Sequence, residues 1–305
     1  MDLTLNADQQ ALATALEGLA APFKDRPVDF RGFALPNQAL EQQLTEAEFF
    51  DVASTPGLGP VAAALTVERL ARLPYTAEVA LSMLVRPHLP LSARACPRPL
   101  ALVEQGRPGR FVARAKTLLI ADAERLGLAA VTPTDVQALE TIFAYPMGKL
   151  TRSLDAQTTW LSASEAAETR KWLRVALAAE ASGLIQAAVE STVEHLSARK
   201  QFGRPLGSFQ ALRHRMAECA VLAGGVKLLT LKAAATAADG DAALAAFHAQ
   251  ESATRIVYDL HQMLGAMGMT LEHPLHLWTY RLKVLLAELG GRGAQAHAVA
   301  RHCFV

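Results

Sequence analysis

The sequence is poor in cysteine and almost without net charge. Its three cysteines, Cys96, Cys219 and Cys303, lie far apart, and neither a Cys-x-x-Cys pair nor a His/Cys ligand spacing occurs. A disulfide framework and a structural zinc site are therefore not expected, and we predict no metal site of any kind. Thirty basic residues balance twenty-nine acidic ones to give a net charge of +1. No overall field attracts nucleic acid, so we expect no nucleic-acid partner.

Long uncharged hydrophobic runs are also lacking. No window reaches the roughly 18 uncharged apolar residues that a membrane-spanning helix needs. The first residues have neither the basic region nor the apolar run of a signal peptide. We therefore expect no membrane span and a soluble chain in the reducing environment of the cytoplasm.

Alanine and leucine are abundant, and hydrophobic residues make up 51% of the 305 positions. Helical patterns fill both ends of the chain, whereas short β-like runs separated by Gly and Pro lie between them. We predict a mainly α fold with a small β region. An N-terminal helical domain would span residues 1–89, a shortened β domain 90–160 and a C-terminal four-helix domain 161–305.

Individual elements can be placed within this scheme. Asn6 or Thr4 is expected to cap a first helix that ends before Pro22. Propensity favours one long helix over 163–198, and Ser208 is a plausible N-cap for the next helix. Further helices are predicted over 241–263 and after Pro274, which would complete a bundle. The strands of the β region are predicted at residues 100–103, 110–113, 117–121 and 128–131.

The most informative stretch is 197–216, Ser-Ala-Arg-Lys-Gln-Phe-Gly-Arg-Pro-Leu-Gly-Ser-Phe-Gln-Ala-Leu-Arg-His-Arg-Met. It closes the long helix, makes a tight loop and opens the next helix. The string resembles the signature of the acyl-CoA dehydrogenase family. The resemblance implies that Arg199 and Gln201 contact the pyrophosphate of FAD across a subunit interface, with Phe202 beside the flavin or its adenine. The residues alone also allow a simpler interpretation, in which Arg199 and Lys200 cap a helix and Phe202 fills a core.

A second match to the same family lies at 261–275, His-Gln-Met-Leu-Gly-Ala-Met-Gly-Met-Thr-Leu-Glu-His-Pro-Leu. It resembles the family's Gln-x-x-Gly-Gly-x-Gly segment, with Ala266 in place of the second Gly. The resemblance implies that Gln262, Gly265 and Gly268 approach the ADP portion of the cofactor. Gly265 as a helix terminus, with neighbouring methionines as core filler, is the alternative.

The resemblance also implies a reaction. Family members remove the α-proton of an acyl-CoA thioester with a carboxylate while the β-hydride moves to the flavin, and electrons pass on to an electron-transfer flavoprotein. Glu288 is the candidate base. Alignment on Lys283 places the family's usual slot on Leu289, one residue later, and the slot that other members use falls on Leu173.

The region before residue 150 departs from the family pattern. It lacks the Thr-Glu-Pro segment and the Lys-containing strand that cover the flavin in family members. The chain therefore resembles one subunit of the heteromeric steroid-type acyl-CoA dehydrogenases, in which a homologous partner completes the site. An FAD-dependent dehydrogenase or a subunit of one is the expected function. A non-catalytic scaffold that completes the FAD site of a homologous partner is the alternative.

Overall fold

The computed structural model describes residues 4–25, 33, 35–122 and 125–303. Helices occupy both ends of the chain, and short strands lie between Leu100 and Trp160. The predicted fold class, mainly α with a small β region and a C-terminal helical bundle, is confirmed.

Among its described residues, the N-terminal part contains three α-helices, followed by a short π-helical turn. They are α1 (Ala7–Ala20), α2 (Gln38–Glu46) and α3 (Gly59–Ala71), and the π-helix spans Leu81–Val85. Asn6 caps α1 as one of the two predicted candidates, because its side chain accepts from the backbone N–H of Gln9 while the Gln9 side chain accepts from Asn6. Nine of the 13 residues of α3 are buried.

The described residues of the β region form two small sheets. Its strands are β1 (Leu100–Glu104), β2 (Gly109–Arg110), β3 (Thr117–Asp122), β4 (Arg125–Ala130), β5 (Val136–Leu139), β6 (Met147–Leu150) and β7 (Thr159–Trp160). One sheet has the order β1-β3-β4-β7, with β1 parallel to β3, and the other has the order β2-β6-β5.

The strand predicted over 110–113 is wrong beyond its first residue. Phe111 has a φ of +62°, and Val112–Arg114 form a 3-10 turn. The chain therefore leaves β2 immediately after Arg110, which fixes where the Arg110 side chain points. Strands β5, β6 and β7 were not among the sequence predictions.

Helix α4 (Ala163–Ala198) is the central element of the C-terminal part and matches its predicted bounds. Its start is fixed by a capping box between Ser162 and Glu165. Residues on all sides of its middle section are buried. Such a helix is covered by neighbours in every direction rather than on one face.

Three further helices and a hairpin follow α4, together with a short last helix that the sequence did not predict. They are the hairpin strands β8 (Lys200–Gln201) and β9 (Arg204–Pro205), then α5 (Gln210–Thr236), α6 (Asp239–Leu264), α7 (His276–Leu285) and α8 (Gly291–Cys303). Ser208 does not cap α5. Its hydroxyl donates to the carbonyl of Pro205, and Phe209 occupies the cap position.

Helix α7 ties the bundle to the N-terminal helices. The buried Arg281 guanidinium donates to the carbonyl oxygens of Leu73 and Tyr75, at 2.8 and 3.1 Å. The indole N–H of Trp278 donates to the carbonyl of Arg72 at 3.0 Å. Side chains on α7 therefore donate hydrogen bonds to three backbone carbonyls that follow α3.

Gly183 marks the closest approach of α4 to α3. A Cβ at this position would overlap the carbonyl oxygen of Glu68 and lie 2.8 Å from the Cβ of Ala71. We expect Gly183→Ala to lower the free energy of unfolding by about 1–3 kcal/mol, because two packed helices must move apart. Urea denaturation measures this. Gly18→Ala in α1, where a Cβ meets nothing within 4 Å, is the control and should be neutral or stabilising.

Candidate functional site

The hairpin between α4 and α5 carries the first family motif. Strands β8 and β9 pair antiparallel, with Lys200 opposite Pro205 and Gln201 opposite Arg204. Phe202 and Gly203 form the two-residue turn and have φ angles of +53° and +79°. Two successive positive φ angles suit the tight turn of a two-residue hairpin, which explains the glycine at the second position.

The side chains of this hairpin point into solvent. Arg199 and Gln201 are exposed, and Phe202 is 88% exposed. Phe202 therefore does not fill a core. Its only ring contact among the described residues is an edge-on approach to Phe209, at 6.1 Å between centroids. Arg199 does end α4, because its backbone N–H donates to His195, but this leaves its guanidinium available.

The second motif lines a groove of about 560 Å³ at the end of α6. Gln262 is exposed on its wall, and Gly265 and Gly268 form part of its floor, with Tyr258, Met269 and Lys283 on the sides. The three residues predicted from the second motif, Gln262, Gly265 and Gly268, thus line one groove.

The two glycines of this groove are required for different reasons. Gly265 ends α6 with a φ of +60°, and a Cβ there would meet nothing within 4 Å. At Gly268, a Cβ would lie 2.7 Å from the carbonyl oxygen of His261, whose imidazole also contacts the Gly268 carbonyl at 2.6 Å. Gly268 is thus explained by packing within the chain, whereas Gly265 leaves open space above the groove.

The hairpin and the groove are separate surfaces. Arg199 and Gln201 do not line the groove. His195, on the last turn of α4, packs edge-on against His273, with 5.3 Å between ring centroids.

Glu288 lies in a buried ion-pair network rather than at an open pocket. Its two carboxylate oxygens accept from Nε and Nη2 of Arg110, at 2.6 and 3.3 Å. The Arg110 side chain is 7% exposed and that of Glu288 is 15% exposed. The third donor of the same guanidinium, Nη1, pairs with Glu180 at 2.6 Å. The Tyr145 hydroxyl donates to the other Glu180 oxygen, also at 2.6 Å.

The charges of this network are mutually dependent. Burial raises the pKa of Glu288 above its ordinary value, although the neighbouring Arg110 acts in the opposite direction. Burial also raises the pKa of the Tyr145 phenol, as does Glu180. For Arg110, burial opposes the charged form, but the two carboxylates outweigh it, so its pKa is raised and it stays protonated.

Almost no empty space adjoins Glu288. The cavity at this point holds about 10 Å³ and is lined by Arg110, Phe111, Glu288 and the two leucines of the family's base slots, Leu173 and Leu289. That volume is about one water molecule at most. The two positions at which family members carry the base, Leu173 and Leu289 here, therefore lie together in the fold, and side chains fill the space between them.

Three members of this network were missed at the sequence level: Arg110, Tyr145 and Glu180. Glu180 carried a usable signal, because it is a single acid between Ala179 and Ala181 in a helix that is apolar on all sides. A fully buried carboxylate requires a cation or several donors. The sequence does not say which of thirty basic residues supplies it, since Arg110 is 70 residues away.

Comparison with known proteins places these features in a class. The fold is shared over nearly the whole chain with solved acyl-CoA dehydrogenases. A steroid acyl-CoA dehydrogenase, the Tcur3481-Tcur3483 G363A variant, superposes with a TM-score of 0.79 at 20% identity and covers 98% of both chains. The ChsE4-ChsE5 complex of Mycobacterium tuberculosis gives a TM-score of 0.75 at 23% identity, covering 99% of this chain and 98% of that one.

Residues 164–304 match the family described as acyl-CoA dehydrogenase, C-terminal domain. This part of the chain therefore matches an acyl-CoA dehydrogenase C-terminal domain in sequence, as the two motifs indicated. Among curated relatives, acyl-CoA dehydrogenase FadE34 of M. tuberculosis is 37% identical over 124 residues, which is 38% of this chain and 17% of that protein. Acyl-CoA dehydrogenase IpdE2 of the same organism is 36% identical over 107 residues, 35% of this chain and 34% of that protein. The matches thus cover about a third or less of these relatives.

Proposed function

We propose that the chain is a subunit of an FAD-dependent acyl-CoA dehydrogenase and lends its hairpin and groove to an FAD held jointly with a homologous partner. In this role Arg199 and Gln201 would bind the cofactor's diphosphate, Phe202 would pack on its aromatic part, and Gln262 and Gly265 would line the ADP end. The partner would supply the catalytic base. FAD, when bound, accepts the hydride from the acyl-CoA.

The observation that carries this proposal is the state of Glu288. A general base needs a free carboxylate oxygen within reach of the proton that it removes. Here Arg110 binds both oxygens, and the space beside them holds about 10 Å³. A raised pKa suits a base, but a thioester and a flavin ring have no room at this position. We therefore favour a structural role for Glu288 and the scaffold alternative for the chain.

The hairpin suits the diphosphate of FAD better than the surroundings of Glu288 suit the flavin ring and the thioester. The Arg199 guanidinium has no side-chain partner among the described residues, and Gln201 beside it is equally exposed. A planar guanidinium is well suited to paired hydrogen bonds with a phosphate. An aromatic ring that is 88% exposed at a hairpin tip is costly in water and is typical of a contact residue. Their exposure supports a contact with a ligand or chain outside this subunit.

The wider assignment follows the family. The relatives carry acyl-CoA dehydrogenase in their names, and the ChsE4-ChsE5 structure is described as a complex of two chains. We infer an acyl-CoA substrate, α,β-dehydrogenation in a homo- or hetero-oligomer with a homologous subunit, and an electron-transfer flavoprotein as acceptor. Steroid-type acyl-CoA thioesters are the substrate class that the similar steroid acyl-CoA dehydrogenase structure suggests.

Glu288→Gln tests whether this chain or its partner supplies the catalytic base. The chain is purified with and without a co-expressed homologous chain, and flavin absorbance and acyl-CoA turnover are recorded. We expect to find flavin only in the complex and not in the chain purified by itself. We also expect Glu288→Gln to leave turnover unchanged, because a glutamine oxygen can still accept from Arg110. Removal of a true general base costs about 10²–10⁴-fold in rate.

Glu180→Gln is the matched control. It sits in the same network and occupies neither family slot, so both variants should behave alike in stability and turnover. A selective loss of turnover in Glu288→Gln, with the flavin retained and Glu180→Gln active, would restore Glu288 as the base of this subunit.

A further inference from the structure

A polar cleft lies between α2 and the start of the β region. It encloses about 460 Å³, which is the size of a small-molecule site. One side of α2 lines it, with polar residues at positions 38, 41, 42 and 45, which fall on one face of a helix. Among the described residues, the cleft shares no lining residue with the groove or with the cavity beside Glu288. It is therefore a separate feature of the fold.

Positive charge is in excess in this cleft. Three cations line it, Arg98, Arg114 and Lys116, together with the two acids Glu41 and Glu78. Glu78 is 4% exposed and is bonded within the chain. It accepts from four donors, the backbone N–H groups of Leu81, Ser82 and Leu100 and the Ser82 hydroxyl. Among the described residues that line the cleft, Glu41 is thus left to balance three cations.

Arg98 lies flat on an aromatic ring and makes no ion pair among the described residues. Its guanidinium carbon is 3.4 Å from the centroid of the Phe50 ring, and its Nη2 donates to the Thr45 hydroxyl at 3.3 Å. Burial lowers the pKa of Arg98, and the charge of the neighbouring Arg86 acts in the same direction. Stacking on the ring fixes the plane of the guanidinium and leaves donors at its edge for an anion.

Arg114 is only partly used within the chain. Its Nη2 donates to Glu41 at 3.4 Å, which is longer than an ordinary hydrogen bond. Its Nη1 is buried without a hydrogen-bond partner in the described part of the chain, and the same is true of Nε of Arg86. Lys116 is exposed. A buried donor of a charged group that lacks an acceptor is costly, so an acceptor is expected at this place.

We propose that this cleft binds a small phosphate monoester with a polar body, whose phosphoryl oxygens accept from Arg98 and Arg114 close to the charge of Lys116. A phosphate monoester has three acceptor oxygens and a charge of about −1.5 to −2 at pH 7, which matches three cations better than a carboxylate does. The exposed amides of Gln38 and Gln42 on α2 suit the hydroxyl groups of a sugar. The inference stands apart from the proposed function, because it involves neither the FAD hairpin nor the groove.

Calorimetric titration of the full chain with ribose-5-phosphate tests this site, with ribose as the neutral probe. We expect binding of ribose-5-phosphate and none of ribose. Arg114→Met should weaken binding roughly 10-fold or more, because a bond to a charged group is lost. Arg69→Met is the matched control and should bind like the wild type. The side chains of Arg69 and Arg114 are both 27% exposed and each pairs with a glutamate, but Arg69 does not line the cleft. Circular dichroism verifies that both variants fold.

A charge reversal at an exposed lysine gives a second test that leaves the buried side chains intact. Lys116→Glu should also weaken binding roughly 10-fold or more, whereas Lys149→Glu, at an exposed position of β6 outside the cleft, should not. A wild type that does not bind ribose-5-phosphate, equal affinities in the cleft variants and their controls, or equal binding of ribose would overturn the proposal. So would acetate that competes with ribose-5-phosphate as strongly as inorganic phosphate does, since the cleft would then be a carboxylate site.

Discussion

Arg110→Met is expected to lower the free energy of unfolding by about 3–5 kcal/mol, the typical cost of removing one partner from a buried ion pair. Arg110 is the cation that neutralises both Glu180 and Glu288, and its side chain is 7% exposed. Methionine fills a similar volume but leaves two buried carboxylates without a counter-charge. Urea denaturation of the purified chain measures the loss.

The pH dependence of this loss has a defined sign. Without Arg110, burial and the neighbouring Glu180 carboxylate raise the pKa of Glu288 unopposed, so the folded state binds a proton more tightly than the unfolded state. The penalty is absent below the unfolded pKa and grows as the pH rises through the folded pKa. The loss in Arg110→Met should therefore be smaller at about pH 5 than at about pH 8.

Arg125→Met serves as the control for Arg110→Met. Arg125 also pairs with two acids, Asp122 and Asp155, but on the surface, where such pairs contribute little. A loss of equal size in the two variants would show that the network around Arg110 contributes no more than a surface pair. The triple variant Arg110→Met/Glu180→Leu/Glu288→Leu should recover much of the stability, because no buried charge is left unpaired.

Loss of flavin from the complex is the expected result of Arg199→Ala combined with Gln201→Ala. A hydrogen bond to a charged group contributes about 1.5–3 kcal/mol, so loss of the Arg199 contact alone corresponds to roughly 10–100-fold weaker FAD binding. The fold should be unaffected, since both side chains are exposed. Titration of the flavin-free complex with FAD measures the affinity.

Lys200→Ala is the matched control for the double variant. Lys200 follows Arg199, whose backbone is extended, and precedes Gln201 on the short strand β8, and successive side chains of an extended chain point to opposite faces. We expect Lys200→Ala to retain FAD. Equal losses in the two variants would indicate a general electrostatic effect, and unchanged FAD affinity in the double variant would contradict the role proposed for the hairpin.

The sequence predicts well those elements whose ends are determined by residues close by in the chain. Helix α4 begins at a capping box and ends where Gly203 and Pro205 follow, so its bounds can be derived from neighbouring residues. The β region is harder, because β5 and β6 are four-residue strands whose pairing depends on contacts far along the chain. Phe111 breaks β2 through a positive φ that its residue type does not suggest.

The candidate site shows the same division. The two motifs are continuous strings, and the structure places the residues of each one together. The environment of Glu288 is different, because Arg110 and Glu180 come from distant elements and meet only in the folded chain. The sequence shows that Glu288 lies one residue before the family's slot for the base. It does not show that the Arg110 guanidinium binds both oxygens of Glu288.

The bonds from α7 to the end of α3 have a consequence for how the molecule comes apart. Arg281 and Trp278 satisfy three carbonyls that follow α3, and these carbonyls belong to the N-terminal part of the chain. A cut near residue 161 would leave a buried guanidinium in one fragment and orphaned acceptors in the other. The helical halves are thus two ends of one cooperative unit, and melting of either should take the other with it in a single transition.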